Sequence, residues 1–262
     1  EYVEPYRDRA RAEQLTKQFD IDRINLVVFQ SGTRHKYLSD TDLADYDLGA
    51  MRLEAFKGED AFTSAVVNVT QATAPLVWFT TGHGEKAVDS QEPLGLASLK
   101  KYLEQQNVTV QPVTLVDRAD VPADVKLIVI AGPTRRFTDA EAVLLQTYLD
   151  HGGRLLALID PLDDTGLDDL LQRWGALLGH DIVVDPTRKL PGVRPENLLI
   201  IAYTKHPIVQ KMQMFVTLFP LARSVRPTQP LPTGLTITSL AMTSASGWGE
   251  TQTSGDAFTF DD

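Results

Sequence analysis

Cysteine is absent from this chain of 262 residues. Its absence removes disulfides, thiolate zinc sites and cysteine nucleophiles together, and leaves the compartment open, because cytosolic and exported proteins can both lack cysteine. Long hydrophobic runs are missing as well: the longest, such as 127–131 and 155–159, fall far short of the ~20 residues a membrane helix needs. A basic stripe is also lacking. The net charge is −10 and lysine and arginine are scattered, so nothing is set out to neutralise a nucleic-acid backbone or to dock on anionic lipid. Nucleic acid is therefore not an expected partner. No G-x-x-x-x-G-K-[ST] phosphate loop and no G-x-S-x-G nucleophile elbow occurs, and no Ser, His and Asp combination stands out from the many candidates.

What the sequence does hold is 43% hydrophobic residues, enough to bury one large core or two modest ones. The opening Glu1-Tyr2-Val3-Glu4-Pro5 reads as a strand end entering a turn, as in a piece trimmed from a longer chain. Residues 8–19 carry Ala12, Leu15 and Phe19 at helical spacing, and 24–29 form a β-rich run closing in a Gln30-Ser31-Gly32 turn. After a polar stretch over 39–47, the segment 59–70 places Phe62, Val66 and Val69 on one helical face. Residues 1–70 are expected to form an N-terminal α/β segment, and 71–262 the main domain.

From residue 76 the pattern is regular. Apolar runs at 76–81, 108–116, 126–131 and 154–159 predict strands, separated by a helix over 94–105 started by Pro93 and another opened by the capping box Thr138-Asp139-Ala140-Glu141. Leu167, Leu170, Leu171, Trp174, Leu177 and Leu178 predict one further helix ending at Gly179. Such alternation implies right-handed crossovers and a mainly parallel sheet, and the expected class is a flavodoxin-like three-layer α/β domain. Beyond residue 182 the runs 182–184, 198–203, 214–219 and 235–243 read as extra C-terminal β strands.

Ligands of parallel α/β sheets bind beyond the carboxyl ends of the strands. Three loops fall there: Thr80-Thr81-Gly82-His83-Gly84-Glu85, Gly132-Pro133-Thr134-Arg135-Arg136 and Asp160-Pro161. Gly82, His83, Gly84, Glu85, Thr134, Arg135 and Asp160 are therefore the candidate ligand- or partner-binding residues. The plainer reading is that glycine and proline only make turns there. His83-x-Glu85 matches one part of the zinc-deaminase signature, which also needs Pro-Cys-x-x-Cys, and no other histidine has paired metal spacing. Gly82-His83-Gly84-Glu85-Lys86-Ala87 fits the loose dinucleotide fingerprint, yet the next helical pattern begins too late to aim its amides at a pyrophosphate. Asp117 could meet a ribose, although a surface turn explains it better. The paired acids Asp163-Asp164 and Asp168-Asp169 charge a helix start, and Arg135-Arg136 read as solvated. No catalytic residue, metal or cofactor is expected.

Several segments together resemble the auxiliary domain of ABC-type transport systems, the GldG-like gliding-motility family. They are Phe56-Lys57-Gly58-Glu59-Asp60-Ala61-Phe62-Thr63-Ser64-Ala65, then Val77-Trp78-Phe79-Thr80-Thr81-Gly82-His83-Gly84-Glu85, then residues 127–133 and Tyr148-Leu149-Asp150-His151-Gly152-Gly153-Arg154-Leu155-Leu156, with Asp160-Pro161, His206-Pro207-Ile208 and Ser246-Gly247-Trp248-Gly249-Glu250. The resemblance implies a class I glutamine amidotransferase-like fold without its cysteine nucleophile. It implies a non-catalytic, extracytoplasmic, membrane-anchored module that partners a permease and an ATPase; a carbohydrate or peptide ligand, or a partner protein, is the expected occupant of its binding residues. Membrane contact would come through transmembrane helices outside this chain. The competing expectations are a hydrolase or sugar-active enzyme using the strand-edge rim, and a nucleotide-binding module.

Overall fold

The computed structural model describes residues 1–47, 52–71, 73–189, 192, 194 and 196–252. Its contacts divide the chain into two units, Glu1–Ala74 with Tyr102–Val108, and Pro75–Lys101 with Thr109–Asp262.

In the first unit, α1 (Arg9–Phe19) starts where the Asp8 carboxylate accepts the Arg11 amide and stops at Asp20, whose φ of 48 is left-handed. β1 (Val27–Ser31) and β2 (Arg34–Leu38) form an antiparallel hairpin with Ser31 opposite Arg34 and Gly32 at φ +62 in the turn. The strand thus begins three residues later than the apolar run suggests, because Asn25 at φ 60 breaks the extended path, and Ser31 belongs to the strand instead of the turn. The polar stretch that follows is ordered too: α2 (Asp40–Leu43) starts at Ser39, whose amide donates to Asp42, and β3 (Ala44–Asp47) pairs with β4 (Arg52–Phe56). α3 (Gly58–Thr70) buries Ala65 and Val69, while Val66 is exposed and Phe62 sets its ring 5.5 Å from that of Phe29.

The second unit is built on a wholly parallel four-stranded sheet. Its strands are β5 (Leu76–Thr80), β6 (Thr109–Val113), β7 (Val125–Ala131) and β8 (Leu155–Leu158), in spatial order β6-β5-β7-β8. Alternate side chains of a strand point to opposite faces. Trp78, Ile128 and Ile130 pack on one face with Leu144, Leu145 and Tyr148 from α5 (Asp139–Asp150) and with Leu167 and Leu170 at α6 (Asp168–Arg173). Each such burial contributes about 1.5–3 kcal/mol. Val77, Phe79 and Val129 point the other way and are buried as well, which is why these strands read as continuous apolar runs.

Three expected elements differ. α4 (Ala97–Gln105) starts after Pro93, since the Leu96 and Ala97 amides turn back onto the Ala87 and Ser90 carbonyls and occupy 87–97 in a closed loop. The leucine stripe after α6 does not continue as helix. Gly175 takes φ +83, its amide donates to the Gln172 carbonyl, and Leu177 and Leu178 then lie in β9 (Ala176–Leu178). The third is 235–243, where the apolar alternation forms no strand beyond a single bridge between Ala241 and Tyr203.

The C-terminal strands form antiparallel pairs. β9 pairs with β13 (Val225–Pro227), β10 (Ile182–Val184) with β14 (Trp248–Glu250), and β11 (Asn197–Ile200) with β12 (Thr217–Pro220). Their small core is Val183, Leu198 and Ile200. A buried aspartate pins this layer: Asp185 accepts the Thr187 and Arg188 amides at 3.0 and 3.1 Å and the Ser244 amide at 2.7 Å, bringing residues 59 apart in sequence together.

Candidate functional site

Because β5, β7 and β8 are parallel, the chain leaves all three at one edge of the sheet, and the loops there do meet. The His83 carbonyl accepts the Thr134 and Arg135 amides at 2.8 and 3.0 Å, and the Ala131 carbonyl accepts the Lys86 amide at 2.9 Å. Lys86 Nζ reaches Asp160 Oδ2 at 3.1 Å, tying the loop after β5 to the end of β8. Gly84 has φ +82, and a Cβ there would stand 2.1 Å from Thr134 Oγ1, so this close approach requires glycine for both reasons.

Beneath the loops lies a buried imidazole between two carboxylates. The side chains of His83, Glu85 and Glu141 are only 8%, 1% and 2% exposed. His83 Nε2 is 3.1 Å from Glu141 Oε2, and His83 Nδ1 is 3.6 Å from Glu85 Oε1. Glu85 Oε2 also accepts the backbone amide of His83 at 2.7 Å. The Phe137 ring lies flat on the imidazole, with centroids 3.9 Å apart and planes inclined by 19°. Glu141 arrives at this point because it closes the capping box of α5: the same Oε2 accepts the Thr138 amide at 2.9 Å and its hydroxyl at 2.8 Å. Two carboxylates and a histidine do not make a metal site in this geometry. Among the described residues no group of three or more His, Asp or Glu side chains is placed to hold a metal ion.

The expected residues therefore sort into two layers. His83 and the Glu85 side chain form a sealed base, whereas Gly82, Gly84, Thr134, Arg135 and Asp160 are exposed on the solvent side. Arg136 pairs with Asp164 and holds that carboxyl below its ordinary value through their hydrogen bond. The acids Asp168 and Asp169 do occupy the first turn of α6. Glu141, Phe137 and Lys86 were missed as members of the cluster, although the capping box had already marked Glu141. The dinucleotide-like loop is followed by helix only from Ala97, so the loop does not itself open a helix as the dinucleotide motif requires. A groove of about 550 Å³ opens instead at the amino ends of β7 and β8, lined by Val121, Pro122, Lys126, Tyr148, His151 and Arg154.

Comparison with known proteins places this architecture. The chain is 34% identical over 94 residues to the Intraflagellar transport protein 52 homolog of Mus musculus, covering 34% of this chain and 22% of that protein. With the Homo sapiens homolog it shares 31% identity over 110 residues, covering 40% of this chain and again 22% of the relative. The chain thus spans about a fifth of the length of the curated relatives it matches. A solved structure of the mmIFT52 N-terminal domain superposes with a TM-score of 0.53 at 22% identity, over 66% of this chain and 74% of that one. This likeness is one of fold: a mixed α/β unit with a four-stranded parallel sheet and additional antiparallel strands. A family model described as ABC-type uncharacterized transport system matches residues 74–258, from β5 past β14, and the chain belongs to that transporter-auxiliary family.

Proposed function

We propose that the chain is a non-catalytic, extracytoplasmic auxiliary module of an ABC-type transporter, which binds a carbohydrate or peptide ligand, or a partner protein, and couples it to the membrane permease and its ATPase. The full-length protein is anchored by transmembrane helices outside this chain, as in GldG-like gliding-motility systems. Family membership over residues 74–258 supports the transporter association. The strand order β6-β5-β7-β8, which is 2-1-3-4 in the order of the chain, supports a flavodoxin-like or class I glutamine amidotransferase-like reading of the main sheet.

The observation that carries the non-catalytic reading is the sealing of His83. Phe137 covers the ring, Glu85 and Glu141 flank it, and a groove of about 550 Å³ lies at the other edge of the sheet. A catalytic base must come within about 2.6–3.2 Å of the proton it takes, and a ring held under Phe137 cannot present itself to a substrate from solvent. The sealed base instead holds the exposed rim of Gly82, Gly84, Thr134, Arg135 and Asp160 rigid, and a rigid rim loses little entropy on binding.

The test is co-purification of the full-length, membrane-inserted protein. Permease and ATPase are expected to come with it, and Arg135→Glu or Asp160→Lys to weaken the association at unchanged melting temperature. Absence of both subunits from the purified material would remove the coupling role. A hydrolase activity of the wild type that disappears in His83→Ala at unchanged melting temperature would replace it with the enzyme reading.

A further inference from the structure

Between Glu196 and Glu250 the sequence contains no aspartate and no glutamate, in a chain whose net charge is −10. The same stretch carries Lys205, Lys211, Arg223 and Arg226, of which Arg223 is buried and the other three are exposed. The chain average conceals this segment, because the acidic residues elsewhere outweigh it. The even scatter of charge read from composition does not hold here.

The same segment exposes large apolar side chains. Ile208 is 73% exposed, Phe215 53%, Val216 62%, Leu218 51% and Phe219 44%. Leu218 and Phe219 are neighbours in β12 and so point to opposite faces of that strand, yet both are exposed. A flat protein partner would cover one face of such a strand; a fluid medium can wet both. Ile201 and Met242 extend the patch, since the Met242 amide donates to the Ala202 carbonyl and Tyr203 bonds the Thr217 hydroxyl.

We propose that this C-terminal layer docks on an anionic phospholipid surface, with Met214, Phe215, Val216, Leu218 and Phe219 entering the interface and Lys205 and Arg226 facing the headgroups. Interfacial binding draws on buried apolar area together with attraction between basic side chains and anionic lipid. Carboxylates would oppose that attraction, and the stretch has none. The surface belongs to the antiparallel C-terminal layer and does not involve the rim, so this inference stands apart from the transporter coupling proposed above.

The experiment is flotation of the 262-residue chain with vesicles of phosphatidylcholine alone and of phosphatidylcholine with phosphatidylglycerol. Binding to the anionic vesicles is expected, falling as salt is raised, since attraction outside the low-dielectric core is screened within about 8–10 Å near physiological ionic strength. Lys205→Ala and Arg226→Ala should each lower the partition about fivefold. Phe215→Ser/Val216→Ser should lower it further at unchanged melting temperature, because both side chains are exposed in the free chain. No flotation with anionic vesicles, or flotation indifferent to the Phe215/Val216 substitutions, overturns the proposal. So does loss of a permease contact in those variants without any vesicle binding in the wild type, which assigns the patch to a protein interface.

Discussion

Glu141 Oε2 lies 3.1 Å from His83 Nε2 and also accepts the Thr138 amide at 2.9 Å, so one carboxylate both closes the cap of α5 and holds the rim imidazole. Its removal should be costly on both counts. Thr138 Oγ1 still accepts the amide of residue 141, so the change removes only the reciprocal half of the capping box and leaves the Thr138 amide and the buried imidazole without their acceptor, and Glu141→Ala is expected to lower stability by about 1–3 kcal/mol. Urea unfolding measures it. A loss within about 0.5 kcal/mol, as for an ordinary surface change, would show that the shared carboxylate holds nothing.

Gly84→Ala tests the packing of the two main rim loops. The new methyl would meet Thr134 Oγ1, and the left-handed φ of +82 adds backbone strain of ~1–3 kcal/mol for a residue other than glycine. Pairing it with Thr134→Ala should recover the steric part and leave the strain. Thermal melting of the single and double variants separates the two, and full recovery would show that the φ at this position carries no cost.

Asp185 gives the C-terminal layer a pH dependence. Burial pushes its carboxyl up, but the Ser244 amide, the Thr187 and Ser244 hydroxyls and the Thr187 amide donate to it and hold it below its ordinary value of 3.8. Since the folded value is the lower one, the unfolded chain takes up the proton first on acidification. The stabilisation is therefore complete above the ordinary value and is lost as pH falls through the folded one. Asp185→Asn should flatten the acid limb of a stability profile measured from neutral pH downward. An unchanged limb would exclude Asp185 as its source.

The isolated chain should bind neither NAD nor ATP. The loop after β5 runs on to Ala97 before helix resumes, so it lacks the helical amides that preorganise a phosphate site, and no phosphate loop occurs in the sequence. Titration calorimetry showing micromolar affinity for either nucleotide would contradict this.

What the sequence determined by itself was local. Continuous apolar runs marked β5, β7 and β8 as parallel strands, although β8 is an edge strand that leaves Leu156 and Leu158 exposed, and Thr138 with Glu141 marked the start of α5, because periodicity and capping depend on residues a few positions apart. The convergence of the loops after β5, β7 and β8 followed from parallel topology alone. Tertiary structure decided the rest. Glu141 joins His83 across 58 residues of sequence. Leu177 and Leu178 leave their helical stripe to pair with Val225 and Arg226, since a nearby strand edge offers hydrogen bonds once Gly175 has turned the chain. The sequence alone shows that no acid lies between Glu196 and Glu250, but only the exposure of Leu218 and Phe219 on both faces of β12 makes that composition a surface, because burial depends on which distant segments come to cover a strand.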